Sequence, residues 1–314
     1  MHKDKVILVH NGAMGDFLTV WPALAALARH AGRLPKPPAL YWAGRATWLP
    51  WAAPLGVTAA PAALRQAVEA LYTTTRWPDA LHGCRVIWFC LTQRPGFPVA
   101  LDHPDLWLLP TVHPGEFAPP RDLLRHALAR RGVAWADDWL ETWRRFFGAW
   151  QRPRATAAQR IPLFPGAGHR RKQWGVVKFL ELAQNLRQAG LAPFFVLGPA
   201  ERDRGMDHAL GTEFPCETPD DMAALSALLL GASAVAGNDC GPMHLAGMHG
   251  VPGVAIFGPT SERQWGPQGM AVAASGMDCR PCTQTTASLA CPHGACLEAV
   301  TVARVLETIR EVVA

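Results

Sequence analysis

Three polar turns in this 314-residue chain carry the residue types that handle a phosphate-bearing ligand. The first is His10-Asn11-Gly12-Ala13-Met14-Gly15-Asp16, directly after an apolar run. Gly12 and Gly15 permit a tight strand-to-helix turn and close backbone approach. Asp16, at the helix start, is either a general base or an ordinary cap favoured by the helix dipole. The second turn is PGAGHRRKQW, Pro165 to Trp174. Gly166 and Gly168 open it, and Arg170, Arg171 and Lys172 follow. No acidic residue occurs from Thr142 to Leu180, so this stretch either grips a phosphate-rich ligand or forms a solvated basic surface. The third turn is GNDCGPMH, Gly237 to His244. Here Asp239 can hold a sugar hydroxyl, and a helix N-terminus at Gly241 and Pro242 can hold a phosphate. The alternative is an Asx turn with capping. His244 either stabilises a departing phosphate or merely packs.

Such turns work only at the carboxyl ends of parallel strands, where open α/β sheets bind ligands. The apolar runs fit. Val6–His10, Ala39–Trp42, Val57–Ala59 and Val86–Cys90 read as strands in the first half. Ile161–Phe164, Ala192–Leu197, Ser233–Ala236 and Gly253–Phe257 do so in the second. Helical stretches separate them, among them one of about fifteen residues from Asp16 to His30, which Pro22 kinks or whose true start it marks, and a single one over Glu201–Ala209. The expected class is therefore α/β, with two Rossmann-like halves facing across a cleft. The polar, aperiodic segment 151–159 is the expected linker between residues 1–150 and 160–314. The final helix, Val300–Val313, is expected to pack in its own half or back on the first.

A formal charge of +5 is compatible with anionic ligands but falls short of a nucleic-acid signature. Neither a signal peptide nor an apolar run of about 18 residues is visible, which leads to a cytoplasmic expectation with peripheral membrane contact. Cysteines are then expected to be reduced. Cys279, Cys282, Cys291 and Cys296 cluster near the carboxyl end. They are a zinc or other metal site (His293 substituting as a ligand), local disulfides, or free thiols. The dinucleotide and P-loop glycine patterns are both missing. No Asp-x-Asp occurs, so helix dipoles and cations rather than a divalent metal are expected to stabilise a diphosphate.

Assembled, these residues resemble glycosyltransferase family 9, the ADP-heptose:lipopolysaccharide heptosyltransferases of Gram-negative bacteria. Gly12 to Leu24 looks like the family's opening motif, PGAGHRRKQW like its mid-chain Lys-x-Trp motif, and GNDCGPMHLA followed by FGPT like its signature. The resemblance implies a GT-B fold and an inverting, metal-independent sugar transfer. The donor is a nucleotide-diphosphate sugar, and the acceptor a lipid-linked oligosaccharide approaching the first half. It implies Asp16 as catalytic base and Lys172 on the donor phosphate. It also implies Glu201 near the ribose, and Asp239, Gly241 and His244 around the sugar and diphosphate. His10-Asn11, Cys240, Gly166-Ala167-Gly168 and Gly175 depart from the family pattern. A nucleotide-sugar-binding protein without transferase activity is the rival reading.

Overall fold

The computed structural model describes residues 3–74, 76–92, 103–148, 159–285, 291 and 293–313. The expected linker lies outside these residues as far as position 158. The chain divides into two compact units, Met1–Leu140 and Glu141–Ala314. The division falls ten residues before the expected boundary for a packing reason. In the helix Trp139–Phe147, Trp143 is fully buried with its ring 5.8 Å from that of His249. Arg144 Nε donates to the Met248 carbonyl at 3.2 Å. The helix from Glu141 onward thus packs within the second unit.

The first unit is a parallel five-stranded sheet of β1 (Lys5–Val9), β2 (Ala39–Trp42), β3 (Val57–Ala59), β4 (Cys84–Cys90) and β5 (Leu106–Pro110), in the order 3-2-1-4-5. β1 and β4 are apolar along almost their whole length, as strands buried on both faces must be. Ile7, Val9, Val86 and Trp88 share a core with Leu64, Ala67 and Val68 of the helix Ala62–Ala70. The helix Met14–Gly32 starts at Met14 and contains Pro22 in its interior, so the proline does not mark its start. β5 has no counterpart in the sequence reading. It is an edge strand, where a terminal proline is tolerated.

The second unit is a parallel six-stranded sheet. Its strands are β6 (Arg160–Phe164), β7 (Ala192–Val196), β8 (Cys216–Glu217), β9 (Val235–Asn238), β10 (Gly253–Phe257) and β11 (Ala271–Ala274), ordered 11-10-9-6-7-8. β9 runs two residues beyond its expected end. Gly237 pairs with Phe164 on the neighbouring strand, and a Cβ there would stand 2.6 Å from Phe164 Cβ, which favours glycine at this position. The expected Glu201–Ala209 helix is two short ones, Pro199–Arg202 and Met206–Gly211, separated at Gly205 with φ +71°. The final helix, Val302–Val313, is seated in the core of its own unit. Val302, Val305 and Ile309 form an i, i+3, i+7 stripe packed with Phe179, Leu182 and Leu186 of the helix Val176–Gln188.

Candidate functional site

Strand order decides where ligands bind. In the first sheet the chain reverses direction about β1, which lies between β2 and β4. The turn leaving β1 is the one that carries Gly12 and Asp16. In the second sheet the chain steps from β6 out to β7 and β8, then returns on the other side of β6 as β9. The turns leaving β6 and β9 flank this switch point, the usual ligand crevice of an open α/β sheet. They are the PGAGHRRKQW and GNDCGPMH segments.

Asn238, fully buried at the end of β9, ties the two second-unit turns together. Its Nδ2 donates to the Pro165 carbonyl at 2.7 Å, and its Oδ1 accepts from Trp174 N at 2.9 Å. Between these anchors, His169 Nδ1 accepts from Arg171 N at 3.2 Å and caps a single 3₁₀ turn, Arg170–Lys172. The turn delivers Lys172, whose Nζ lies 2.6 Å from Asp239 Oδ2. The same carboxylate oxygen accepts from Thr260 Oγ1 at 2.7 Å. Thr260 leaves β10, the next strand along the sheet, and was not singled out as a site residue by sequence reasoning. The signal was available, since the Gly258-Pro259-Thr260 turn also follows a strand.

Glu201 joins this group from the turn after β7. Its Oε2 accepts from Gly198 N at 3.1 Å. A Cβ on Gly166 would stand 2.4 Å from its Oε1, so close packing on Glu201 requires glycine there. Gly168 has open space beside it and no such requirement. Gly241 and Pro242 begin the helix Gly241–His249, with Cys240 at the cap and the mostly buried His244 in the first turn. Burial pushes the Cys240 thiol up to about 12, and the Asp239 and Glu201 carboxylates push the same way. Cys240 therefore sits as a neutral thiol beside Lys172 and Asp239. This arrangement offers a cation and free helix N–H groups to a diphosphate, with carboxylates for hydroxyl groups.

At the first-unit turn, Asp16 Oδ2 accepts from Ala13 N at 3.1 Å, the bond of a helix cap. The carboxylate stays partly exposed and has further acceptor capacity. A Cβ on Gly12 would stand 2.7 Å from His10 Nε2 and 2.8 Å from Asp16 Cβ. Trp48 Nε1 donates to the Gly12 carbonyl at 3.1 Å, and its ring stacks on Phe17 with centroids 5.1 Å apart. Burial pulls the His10 pKa down to about 4. The Phe89 carbonyl opposes that shift and Arg45 adds to it.

The carboxyl-end cysteines lie close enough to act on one another, with burial first and then Cys279, Cys291 and Cys296 all raising the Cys282 thiol. Among the described residues, no three His, Cys, Asp or Glu side chains form a group able to hold a metal ion. Cys296 is buried on a short helix within the second core, whereas Cys279 and Cys282 are exposed. All four are free thiols, and His293 joins no such group. No described helix is long and apolar enough to cross a membrane.

Residues 145–293 match the model of glycosyltransferase family 9 (heptosyltransferase). Lipopolysaccharide heptosyltransferase 1 of Pseudomonas aeruginosa is 33% identical over 119 residues, which span 37% of this chain and 34% of that relative. Among solved structures, a family 9 glycosyl transferase from Veillonella parvula matches with a TM-score of 0.65 at 15% identity, covering 99% of this chain and 97% of that one. The E. coli heptosyltransferase WaaC, solved with ADP, matches with a TM-score of 0.63 at 15% identity, covering 98% and 99%. The two α/β units with all-parallel sheets are the GT-B fold expected from the sequence. The family match lies over the second-unit turns and the fold matches from end to end, so residues 145–293 are similar to glycosyltransferase family 9, the heptosyltransferase family, on a fold shared with its solved members.

Proposed function

We propose that this protein is an inverting, metal-independent heptosyltransferase that moves heptose from ADP-heptose onto a lipopolysaccharide core acceptor. The observation that carries the reading is the cluster at the β6/β9 switch point. There Lys172, Asp239 and Thr260 meet beside the N-terminus of the Gly241–His249 helix. In this reading the donor diphosphate lies on that N-terminus and on Lys172, within reach of Gly166, Gly168 and His244, with Glu201 toward the ribose. Asp239 is shared between Lys172 and a sugar hydroxyl. Solved heptosyltransferase relatives carry ADP and ADP-2-deoxy-2-fluoro heptose, which supports ADP-heptose as donor.

Asp16 takes the proton from the acceptor hydroxyl as its oxygen attacks the anomeric carbon. A single displacement inverts the configuration there. Lys172 and the helix N–H groups balance the charge that grows on the departing diphosphate. That role needs no metal, in keeping with a sequence that has no Asp-x-Asp pair. A lipid-linked acceptor would place the enzyme on the cytoplasmic face of the inner membrane as a peripheral protein. The test is transfer of labelled heptose from ADP-heptose to lipopolysaccharide from heptose-deficient cells, in excess EDTA. Asp16→Asn should lower turnover by roughly 10²–10⁴-fold with donor affinity nearly unchanged. Tight ADP-heptose binding with no transfer by the wild-type protein would instead identify a binding protein.

A further inference from the structure

His10 is buried to 5% exposure just after β1, and the Phe89 carbonyl is the hydrogen-bonding group that acts on its ring. What the ring contributes to the Gly12 turn is shape, through close packing. Its Nε2 edge lies against Gly12, and Gly12 lies against Asp16. Both neighbours come within 2.8 Å of the point where a Gly12 side chain would begin. Each member of this row is pinned from elsewhere. Arg45 N donates to the His10 carbonyl at 3.0 Å, and Gly44 packs so closely on the His10 backbone that its own Cβ would stand 2.3 Å from that carbonyl oxygen. Trp48 holds the Gly12 carbonyl, while Ala13 N holds Asp16. The His10 ring also lies 6.3 Å from Phe17, the residue that follows Asp16 in the helix.

We propose that His10 is a positioning residue for Asp16: the ring sets how deep the Gly12 turn lies against the sheet and so where the carboxylate points. The inference rests on Asp16 being the base. Because burial keeps the ring uncharged at neutral pH, it also sets no cation beside that carboxylate. Arg45 is the charged group facing the ring.

The experiment compares steady-state kinetics of His10→Ala, Gly12→Ala, the double variant and Asp16→Asn, with ADP-heptose and heptose-deficient lipopolysaccharide. Circular dichroism confirms folding of each. Gly12→Ala should lower kcat by about 10²-fold, as a displacement near 1 Å can do, with donor KM within about twofold. His10→Ala should lower kcat by about tenfold, again with donor KM held. The double variant should regain at least about tenfold over Gly12→Ala alone, because the new methyl occupies the space the ring vacated. A merely structural role predicts additive losses and lower melting temperatures without this recovery. Additive losses, or an unchanged kcat in His10→Ala, overturn the proposal. If Gly12→Ala does not fold, the split between kcat and KM in His10→Ala decides alone. Near-normal turnover in Asp16→Asn overturns the base reading itself, a separate outcome.

Discussion

Lys172 Nζ stands 2.6 Å from Asp239 Oδ2, with the two side chains only 14% and 6% exposed. Removing one partner of a pair this buried strands the other charge, at a cost of about 3–5 kcal/mol. Lys172→Met and Asp239→Asn should each lower the urea midpoint of the protein. The double variant should recover most of that loss while remaining inactive if Lys172 is, as proposed, the cation on the donor phosphate. A double variant as unstable as either single change would show that the pair is not coupled.

Asn238 bonds to both second-unit turns at once, donating to the Pro165 carbonyl and accepting from Trp174 N. Asn238→Ala leaves Trp174 N and the Pro165 carbonyl without their partners, each costing about 1–3 kcal/mol. The expected result is a lower melting temperature and a weaker ADP titration by calorimetry. A melt and an ADP affinity equal to wild type would mean that water replaces the amide at no cost.

Acid sensitivity has a defined direction. Burial draws both His10 and His249 down to about 4 from 6.5, with Arg144 adding to the effect at His249. Below pH 6.5 the unfolded chain takes up protons that the folded chain refuses. Stability is thus complete above 6.5 and falls as the pH drops toward 4. Each residue contributes up to roughly 3 kcal/mol to that slope. Urea midpoints measured at pH 7, 5.5 and 4.5 should show it. His249→Asn and His10→Asn should each flatten it, and a slope untouched by either change would refute the assignment.

Much of this site is legible in the sequence, for local reasons. Apolar runs followed by glycine turns announce strand ends, and Asp16, Lys172, Asp239 and His244 all stand on such turns. Other features depend on which strands are neighbours, and strand order is not a local property. Asn238 reaches Pro165 only because β9 returns beside β6, and Thr260 reaches Asp239 only because β10 lies beside β9. The split of the Glu201–Ala209 segment was missed because Gly205 is tolerated in helical patterns and its positive φ appears only in three dimensions. β8, two residues long, and β5, ending in proline, carry too little alternation to register.

Thiol chemistry should rank the cysteines in a set order. Backbone N–H groups of Gly294 and His293, with Arg171 nearby, hold the Cys291 thiol below the usual range. Burial pushes Cys240 and Cys90 up to about 12. With limiting iodoacetamide at pH 8, peptide mass spectrometry should find Cys291 labelled first and Cys240 and Cys90 last, since the thiolate is the nucleophile. Early labelling of Cys240 would contradict its raised thiol pKa.

Every side chain assigned to the donor, from Gly166 to His244, is carried by one sheet and belongs to one unit. The consequence is modular inheritance. A recombination event near residue 140 would transplant the whole proposed donor surface as a cassette and leave the Gly12–Asp16 turn with its original host. Chimeras joined at that seam should therefore take their nucleotide-sugar preference from the carboxyl-terminal parent.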